Sequence, residues 1–283
     1  MDAELKQAKY VSVDGVRTHY FEAGEHHRGR RPTVLLLHSA EFGGCAEFSW
    51  EHNMAALAER HHVLAPDHLG FGLTDKIFDF NDQFGRRIRH IRRFIEIMEV
   101  GPVHVMGSSM SGGLCLIVAA RDTPDWPLLS VTCCSGGGDA PDNEARKVLN
   151  TYDGTPEHMR RIVETMFVDR RWAADDAYIR RRVAMANLPG GWEATAAARF
   201  RAPFRKPGGS GERDRIEYAN IKVPVLVFAG RQDSLRNPGY TDTFVPLIPD
   251  AELHVFENAG HMGNVECAGE FNARVLQFLD RFA

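Results

Sequence analysis

The sequence contains no apolar run long enough to span a bilayer, and residues 1–6 lack the basic start and apolar stretch of a signal peptide. We therefore expect a soluble, cytoplasmic protein without a membrane partner. Basic and acidic side chains nearly balance, at a formal net charge of −4, so there is no long-range field that would attract nucleic acid. A small molecule is the expected partner, and the sequence leaves open whether the chain forms a homo-oligomer.

Cysteine is also scarce, and the five cysteines show neither the spacing of zinc ligands nor a C-x-x-C pair. We expect these thiols to be reduced, and we expect neither a metal nor a cofactor. The chain has no internal repeat, which argues against a solenoid or a propeller. These absences direct attention to a single catalytic or binding site built from ordinary side chains.

The 283 residues, 43% of them hydrophobic, suffice for a full core. Short apolar runs alternate with longer amphipathic stretches, a pattern typical of a mostly parallel sheet with helices on both faces. Asp14-Gly15 between the first two runs predicts an antiparallel hairpin. The predicted strands are Tyr10–Val13, Val16–Phe21, Val34–Leu37, Val63–Ala65, Val103–Met106, Leu129–Cys133, Val225–Phe228 and Leu253–Phe256. The predicted helices are Trp50–Glu59, Phe84–Met98, Leu114–Ala120 and Phe271–Phe282.

The strand pattern stops from about residue 138 to 215, where helix-like patterns end at a glycine-rich breaker over 207–211. We interpret residues 138–215 as a helical cap inserted into a core formed by residues 1–137 and 216–283. Aromatic side chains in the cap would suit a flat apolar ligand, although aromatics in helices more often belong to the core. They are Phe167, Trp172, Trp192, Phe200 and Phe204.

A candidate nucleophile lies where the strand Val103–Met106 runs into Gly107-Ser108-Ser109-Met110-Ser111 and then into an apolar helix. A serine at a tight strand-to-helix turn needs small residues two positions to either side, and Gly107 and Ser111 provide them around Ser109. The usual pattern is G-x-S-x-G, so Ser111 is a departure. A shifted frame with Ser111 as the nucleophile is the alternative.

A serine hydroxyl needs a base to remove its proton and a carboxylate to orient that base. Asp233 follows the strand Val225–Phe228, and His261 follows the strand Leu253–Phe256. The order Ser, Asp, His fits a nucleophile elbow of this kind, and ligand sites of such sheets lie at the carboxyl ends of the strands. We predict a triad of Ser109, Asp233 and His261, with Asp139 as a rival acid.

Acyl chemistry also requires N–H donors for the developing oxyanion. The backbone N–H of Met110, directly after the nucleophile, is one candidate. The turn that begins at His38 should provide the other, and we choose Ala40 over Glu41.

With these motifs the chain resembles the α/β-hydrolase family over its whole length, including Pro66–Asp75 between the His38 turn and the elbow. Within that family it looks most like the meta-cleavage-product hydrolases, which split vinylogous 1,5-diketones at a carbon–carbon bond in aromatic catabolism. The carriers of this resemblance are Gly107-Ser108-Ser109-Met110, the cap stretch from Met166 to Asp169, and Leu253 through His261 to Asn272.

The resemblance implies an α/β-hydrolase fold with a mostly parallel eight-stranded sheet and an inserted helical cap. It also implies that Arg181, or its neighbour Arg180 or Arg182, holds the substrate's carboxylate and dienolate. Ser39, Ser108 and Met262 stand at the other family positions that line the substrate site, and all three depart from the family residues.

The sequence therefore predicts a serine hydrolase that acts on a small aromatic or dienoic carbonyl compound at a C–C or ester-type bond. A carboxylesterase or lactonase with another substrate is one alternative. A cofactor-free oxygenase or lyase on the same fold is a second, and a receptor that keeps the pocket without turnover is a third.

Overall fold

A computed structural model describes residues 8–198, 200 and 216–282 of the chain. The glycine-rich stretch over 207–211 and Phe204 lie outside these residues. In the described part no helix is both long and apolar enough to cross a membrane.

Eight strands form one sheet in the order β1-β2-β4-β3-β5-β6-β7-β8. The pairs β1·β2 and β2·β4 are antiparallel, and every other pair is parallel. Together with the helices on both faces and the helical insertion, this sheet confirms the predicted fold class. The strands are β1 Lys9–Val13, β2 Val16–Ala23, β3 Thr33–Leu37, β4 Val63–Pro66, β5 Val103–Ser108, β6 Leu128–Cys134, β7 Val225–Gly230 and β8 Ala251–Phe256.

The predicted hairpin joins β1 to β2. Asp14 and Gly15 both have positive φ, at 49° and 84°, as a two-residue turn that matches the strand twist requires. The central strands then send alternate side chains to opposite faces of the sheet. Leu35 and Leu37 enter the core on one face, whereas Val34 and Leu36 enter the core on the other. Continuous apolar runs therefore read as strands that are covered on both sides.

Helices cover the two faces and form the insertion between β6 and β7. On the sheet's two faces and at its edges lie α1 Ala46–Trp50, α2 Met54–Ala58, α3 Gln83–Ile97, α4 Met110–Ala119, α10 Gly263–Glu266 and α11 Ala268–Leu279. The insertion contains α5 Glu144–Asn150, α6 Pro156–Met166, α7 Arg171–Ala174, α8 Asp176–Ala186 and α9 Gly191–Ala197.

The predicted helix Trp50–Glu59 is wrong in its bounds, because two short helices, α1 and α2, flank a turn at residues 51–53. Asn53 explains the interruption. Its buried amide donates to the Asn264 carbonyl and to Asn272 Oδ1, both at 2.9 Å. A buried amide must keep such partners, and they hold the chain in a turn where apolar spacing alone predicts a continuous helix.

A third apolar cluster joins the insertion to the core. Ile162 and Met166 of α6 and Ile179 of α8 pack in it with Phe42 and Met262, which come from loops at the carboxyl edge of the sheet. The inserted helical cap therefore sits over the strand ends, where a ligand site of this kind of sheet is expected.

Candidate active site

The turn between β5 and α4 holds Ser109 in a strained backbone conformation. Its φ of 53° and ψ of −112° lie in a region that non-glycine residues seldom adopt. The Ser109 N–H donates to the Cys134 carbonyl at 2.7 Å and so fixes the turn to β6. A Cβ on Gly107 would lie 2.4 Å from the Ser111 carbonyl, so the tight bend requires glycine at this position.

Three side chains from separate loops meet at this turn. Ser109 Oγ lies 2.7 Å from His261 Nε2, and His261 Nδ1 lies 2.7 Å from Asp233 Oδ2. With Nδ1–H donating to the carboxylate, Nε2 is free to accept the hydroxyl proton. This is the geometry that activates a serine nucleophile.

The two alternative residues of the sequence analysis are placed elsewhere. Ser111 is fully buried; its hydroxyl donates to the His38 carbonyl at 2.5 Å and accepts from His68 Nε2 at 2.8 Å. The exposed Asp139 is not the carboxylate that faces His261. The described structure therefore favours Ser109 over Ser111 and Asp233 over Asp139.

Asp233 is only 8% exposed, and burial by itself would raise its pKa. The facing His261 ring, the Leu235 N–H and the charge of Arg236 outweigh burial and hold the pKa of Asp233 below its ordinary 3.8. The carboxylate is therefore ionised at neutral pH and can stabilise a protonated imidazole during the reaction.

The loop that carries His261 is tied to the cap and to its neighbouring loop. The His261 N–H donates to the Met166 carbonyl at 2.8 Å, and the Gly260 N–H donates to Glu266 Oε2 at 2.7 Å. A Cβ on Gly230 would lie 2.0 Å from the Gly260 carbonyl. The loops that carry the acid and the base thus touch directly.

The strand register brings the predicted oxyanion donors to the same edge. Leu37 pairs with Gly107, so Ala40 and Met110 each stand three residues beyond paired positions on neighbouring strands. Met110 begins α4, and the first N–H groups of a helix have no acceptor within it. Their role as oxyanion donors remains a proposal.

Ser109 and Met110 line a cavity of about 860 Å³, a size that suits a small organic ligand. Its walls combine apolar side chains and glycine backbone with two guanidinium groups. They include Phe84, Leu114, Ile117, Gly137, Gly138, Phe244, Arg146 and Arg236.

None of the four residues predicted to bind substrate is among those that line this cavity, and their role in binding stays a prediction. The Ser39 hydroxyl is hydrogen-bonded to Ser49 Oγ at 3.2 Å. Ser108 is buried at the end of β5, and Met262 is buried in the cluster that joins the cap to the core.

Arg181, the fourth, lies outside the cavity because two core carboxylates hold its guanidinium, with Nη2 at 2.7 Å from Glu47 and 2.8 Å from Glu51. Its neighbour Arg182 is fully buried and donates to Glu41 at 2.6 Å and to the Tyr178 hydroxyl at 3.0 Å.

Arg180 is exposed. The cap aromatics Phe167 and Trp172 pack against Tyr178, and the Trp192 indole donates to the Tyr152 carbonyl. The arginine run and these rings therefore build the cap rather than this cavity.

Sequence reasoning missed Arg146, Arg236 and Glu266 as parts of the site or its supports, and it considered Glu41 only as the alternative oxyanion donor, not as the partner of Arg182. Only Arg236, three residues after Asp233, gave a signal, since it lies on a loop already predicted to reach the site. Over residues 8–198, 200 and 216–282, no group of three histidine, cysteine, aspartate or glutamate side chains is arranged to hold a metal ion.

Comparison with known proteins identifies the family to which the chain belongs. The model of the α/β-hydrolase fold family matches residues 32–267. The chain belongs to this family. The chain is 31% identical over 278 residues to the 2-hydroxy-6-oxo-6-(2'-aminophenyl)hexa-2,4-dienoic acid hydrolase of Metapseudomonas resinovorans, covering 97% of this chain and 91% of that protein.

The chain is also 27% identical to the 2-hydroxymuconate semialdehyde hydrolase of Pseudomonas sp. strain CF600, over 95% of this chain and 92% of that one. A solved meta-cleavage product hydrolase from Pseudomonas fluorescens IP01 superposes with a TM-score of 0.83 at 25% identity, covering 97% of this hydrolase and 98% of the other. The resemblance to hydrolases of this kind is confirmed.

Proposed function

We propose that this hydrolase uses Ser109 as a nucleophile to cleave a carbon–carbon bond beside a carbonyl group in a 2-hydroxy-6-oxo-dienoate type of compound. One observation carries the proposal: Ser109 Oγ is hydrogen-bonded at 2.7 Å to an imidazole that Asp233 orients, at the wall of a ligand-sized cavity. The names of the relatives that match over nearly the whole chain supply the substrate class.

In the proposed reaction His261 first moves a proton so that the dienol becomes a ketone. Ser109 Oγ then attacks the carbonyl carbon while its proton passes to His261 Nε2, and the N–H groups of Met110 and Ala40 stabilise the oxyanion. The C–C bond breaks, and its electron pair takes the proton from His261. The fragment that gained this proton leaves with a new C–H bond. Water then hydrolyses the acyl-serine and releases the other fragment as a carboxylic acid.

Hydrolysis of a carboxylic ester or lactone is the second candidate. The positions of the residues that the family resemblance implies for substrate binding favour it. Arg181 is held by Glu47 and Glu51 outside the cavity, and Ser108 and Met262 are buried away from it. The triad and the oxyanion donors would act identically on an ester. The cytoplasmic location, the absence of nucleic-acid or membrane partners and the state of association all stay predictions.

The test is a panel of dienone acids and neutral aryl esters, assayed with the unmodified protein and with Ser109→Ala, His261→Ala and Ser12→Ala. Ser12 is an exposed serine of β1 and serves as the matched control. We expect Ser109→Ala and His261→Ala to lower kcat by about 10⁴-fold or more while Ser12→Ala keeps full activity. Retained turnover in Ser109→Ala with loss in His261→Ala would instead indicate lyase or oxygenase chemistry.

A further inference from the structure

Two arginines face the cavity that contains the nucleophile. Arg146 comes from α5 of the cap, and Arg236 comes from the loop after β7, three residues beyond Asp233. Both are partly buried. The Arg236 charge is close enough to Asp233 to help lower the pKa of that carboxyl, so this pair of cations lies beside the triad.

Backbone carbonyls fix both guanidinium groups without using all their donors. Arg146 Nε and Nη2 donate to the Leu235 carbonyl at 3.3 and 3.0 Å. Arg236 Nε and Nη2 donate to Ser135, and its Nη1 donates to Gly137 at 2.9 Å. A guanidinium carries five N–H groups, so N–H groups on both residues remain available for a ligand.

Among the residues that the structure describes, no carboxylate forms an ion pair with Arg146 or Arg236. Asp139 and Glu217 line the same cavity, but both are exposed and neither pairs with these arginines. Within the described residues, therefore, no carboxylate forms a direct ion pair with this positive charge, and Asp233 acts on it only through space.

The two cations also disfavour each other. Burial lowers the pKa of Arg146, the neighbouring Arg236 lowers it further, and Asp233 opposes the change. An anion placed between the guanidinium groups would relieve this repulsion and gain charge-assisted hydrogen bonds. A partly desolvated pair of arginines in a cavity is a suitable site for a planar carboxylate.

We propose that Arg146 and Arg236 bind a carboxylate group of the substrate, and that this subsite makes the enzyme prefer anionic substrates to neutral ones of the same shape. The inference rests on the proposed function, because it assigns substrate recognition to the cavity of Ser109. It places the carboxylate at Arg146 and Arg236, whereas the family resemblance implies Arg181 or one of its neighbours, Arg180 or Arg182.

Two pairs of esters test the subsite, because the carboxylate can belong to either side of the scissile bond. Mono-(4-nitrophenyl) succinate and 4-nitrophenyl 4-methylpentanoate differ in charge on the acyl side. Butyrate esters of 4-hydroxybenzoate and 4-hydroxybenzamide differ on the leaving-group side. We expect Arg146→Met to lower kcat/KM for one of the two anionic esters by about 10-fold or more, mainly through KM, with its neutral partner changed less than about twofold.

Arg146→Lys should recover part of that loss, because it restores the charge without the planar donor pair. A folded Arg236→Gln protein should show the same selective loss on the anionic ester. This variant removes the donor of the Ser135 and Gly137 carbonyls, and if it fails to fold for that reason, the Arg146 variants alone test the subsite. Arg274→Met, on the exposed side of α11, is the control. Equal losses on the charged and neutral esters of both pairs, or no loss on any, would refute the subsite.

Calorimetric binding of the same esters to Ser109→Ala separates this inference from the proposed function. If Ser109→Ala releases 4-nitrophenolate at the unmodified rate, the nucleophile assignment fails, and the arginines are then tested by kcat/KM on the charged and neutral esters alone. Weaker binding of the anionic ester after adding Arg146→Met supports the subsite, and unchanged binding of both anionic esters overturns it.

Discussion

The arginines of α8 and those of the cavity show how differently one residue type is used in this molecule. Arg181 and Arg182 are held by carboxylates of the core, Glu47, Glu51 and Glu41. Arg146 and Arg236 are held by carbonyl oxygens, and no carboxylate in the described part of the chain forms an ion pair with either of them. The first pair fastens the cap, whereas the second is available to a ligand. Partners in space, rather than position in a run of arginines, decide which role a guanidinium has.

The largest effect should come from the buried pair. Arg182→Met leaves the buried Glu41 carboxylate without its cation, and we expect the free energy of unfolding to fall by about 3–5 kcal/mol. Arg146→Met breaks no ion pair among the described residues and should cost about 1 kcal/mol or less. Urea denaturation measures both.

The double variant Glu41→Gln with Arg182→Met is the control for this comparison. It removes both charges and should recover most of the stability. If Arg146→Met proved as costly as Arg182→Met, the distinction between a structural pair and a ligand pair would be lost.

The same pair gives a pH dependence. Burial would raise the pKa of Glu41, but Arg182 and Ser39 outweigh burial and hold it below the ordinary 4.5. A carboxyl whose pKa is lowered on folding contributes stability above its unfolded pKa and loses it as the pH falls through the folded pKa. Glu41→Gln should therefore be less stable than the unmodified protein at neutral pH, and the difference should shrink only below about pH 4.5.

The measurement is urea unfolding at a series of pH values. Arg146→Met, whose guanidinium has no carboxylate partner in the described residues, should follow the unmodified protein in parallel over the same range. A stability difference for Glu41→Gln that did not change on acidification would contradict the assignment.

The response to salt should also differ between the cavity arginines and the buried pair of Arg182 and Glu41. Raising sodium chloride from 0.05 to 0.5 M should raise KM for the preferred anionic ester by roughly threefold, because the cavity is open enough for ions to screen its arginines. KM for the neutral partner should stay constant. The stability difference between the Arg182→Met protein and the unmodified one should also stay nearly constant, because ions do not reach the buried pair. Equal salt responses of the two esters would argue against the carboxylate subsite.

The smallest effect is expected at Arg181, whose side chain is 40% exposed. Arg181→Ala should lower the free energy of unfolding by about 0.2–1 kcal/mol and leave kcat/KM on the esters within about twofold of the unmodified enzyme. Arg180→Ala, which removes an exposed neighbour, is the matched control. A selective loss on the anionic ester in Arg181→Ala would restore the role that the family resemblance had given it.

The sheet and the geometry around Ser109 follow from local signals. Ser109, Asp233 and His261 each lie within five residues of the end of a short apolar run, and parallel strands end at one edge, so their convergence could be predicted. The pairing of Arg182 with Glu41 joins residues 141 positions apart through a cap whose placement no local pattern fixes. The two helices in place of Trp50–Glu59 likewise depend on Asn53 and its distant partner Asn264.

The most direct measurement of the central assignment is fluorophosphonate labelling followed by mass spectrometry of the intact and digested protein. The geometry predicts one adduct, on the peptide at Ser109, which disappears in His261→Ala and persists in Ser12→Ala. An adduct at Ser111, or no adduct on a folded protein, would contradict the account.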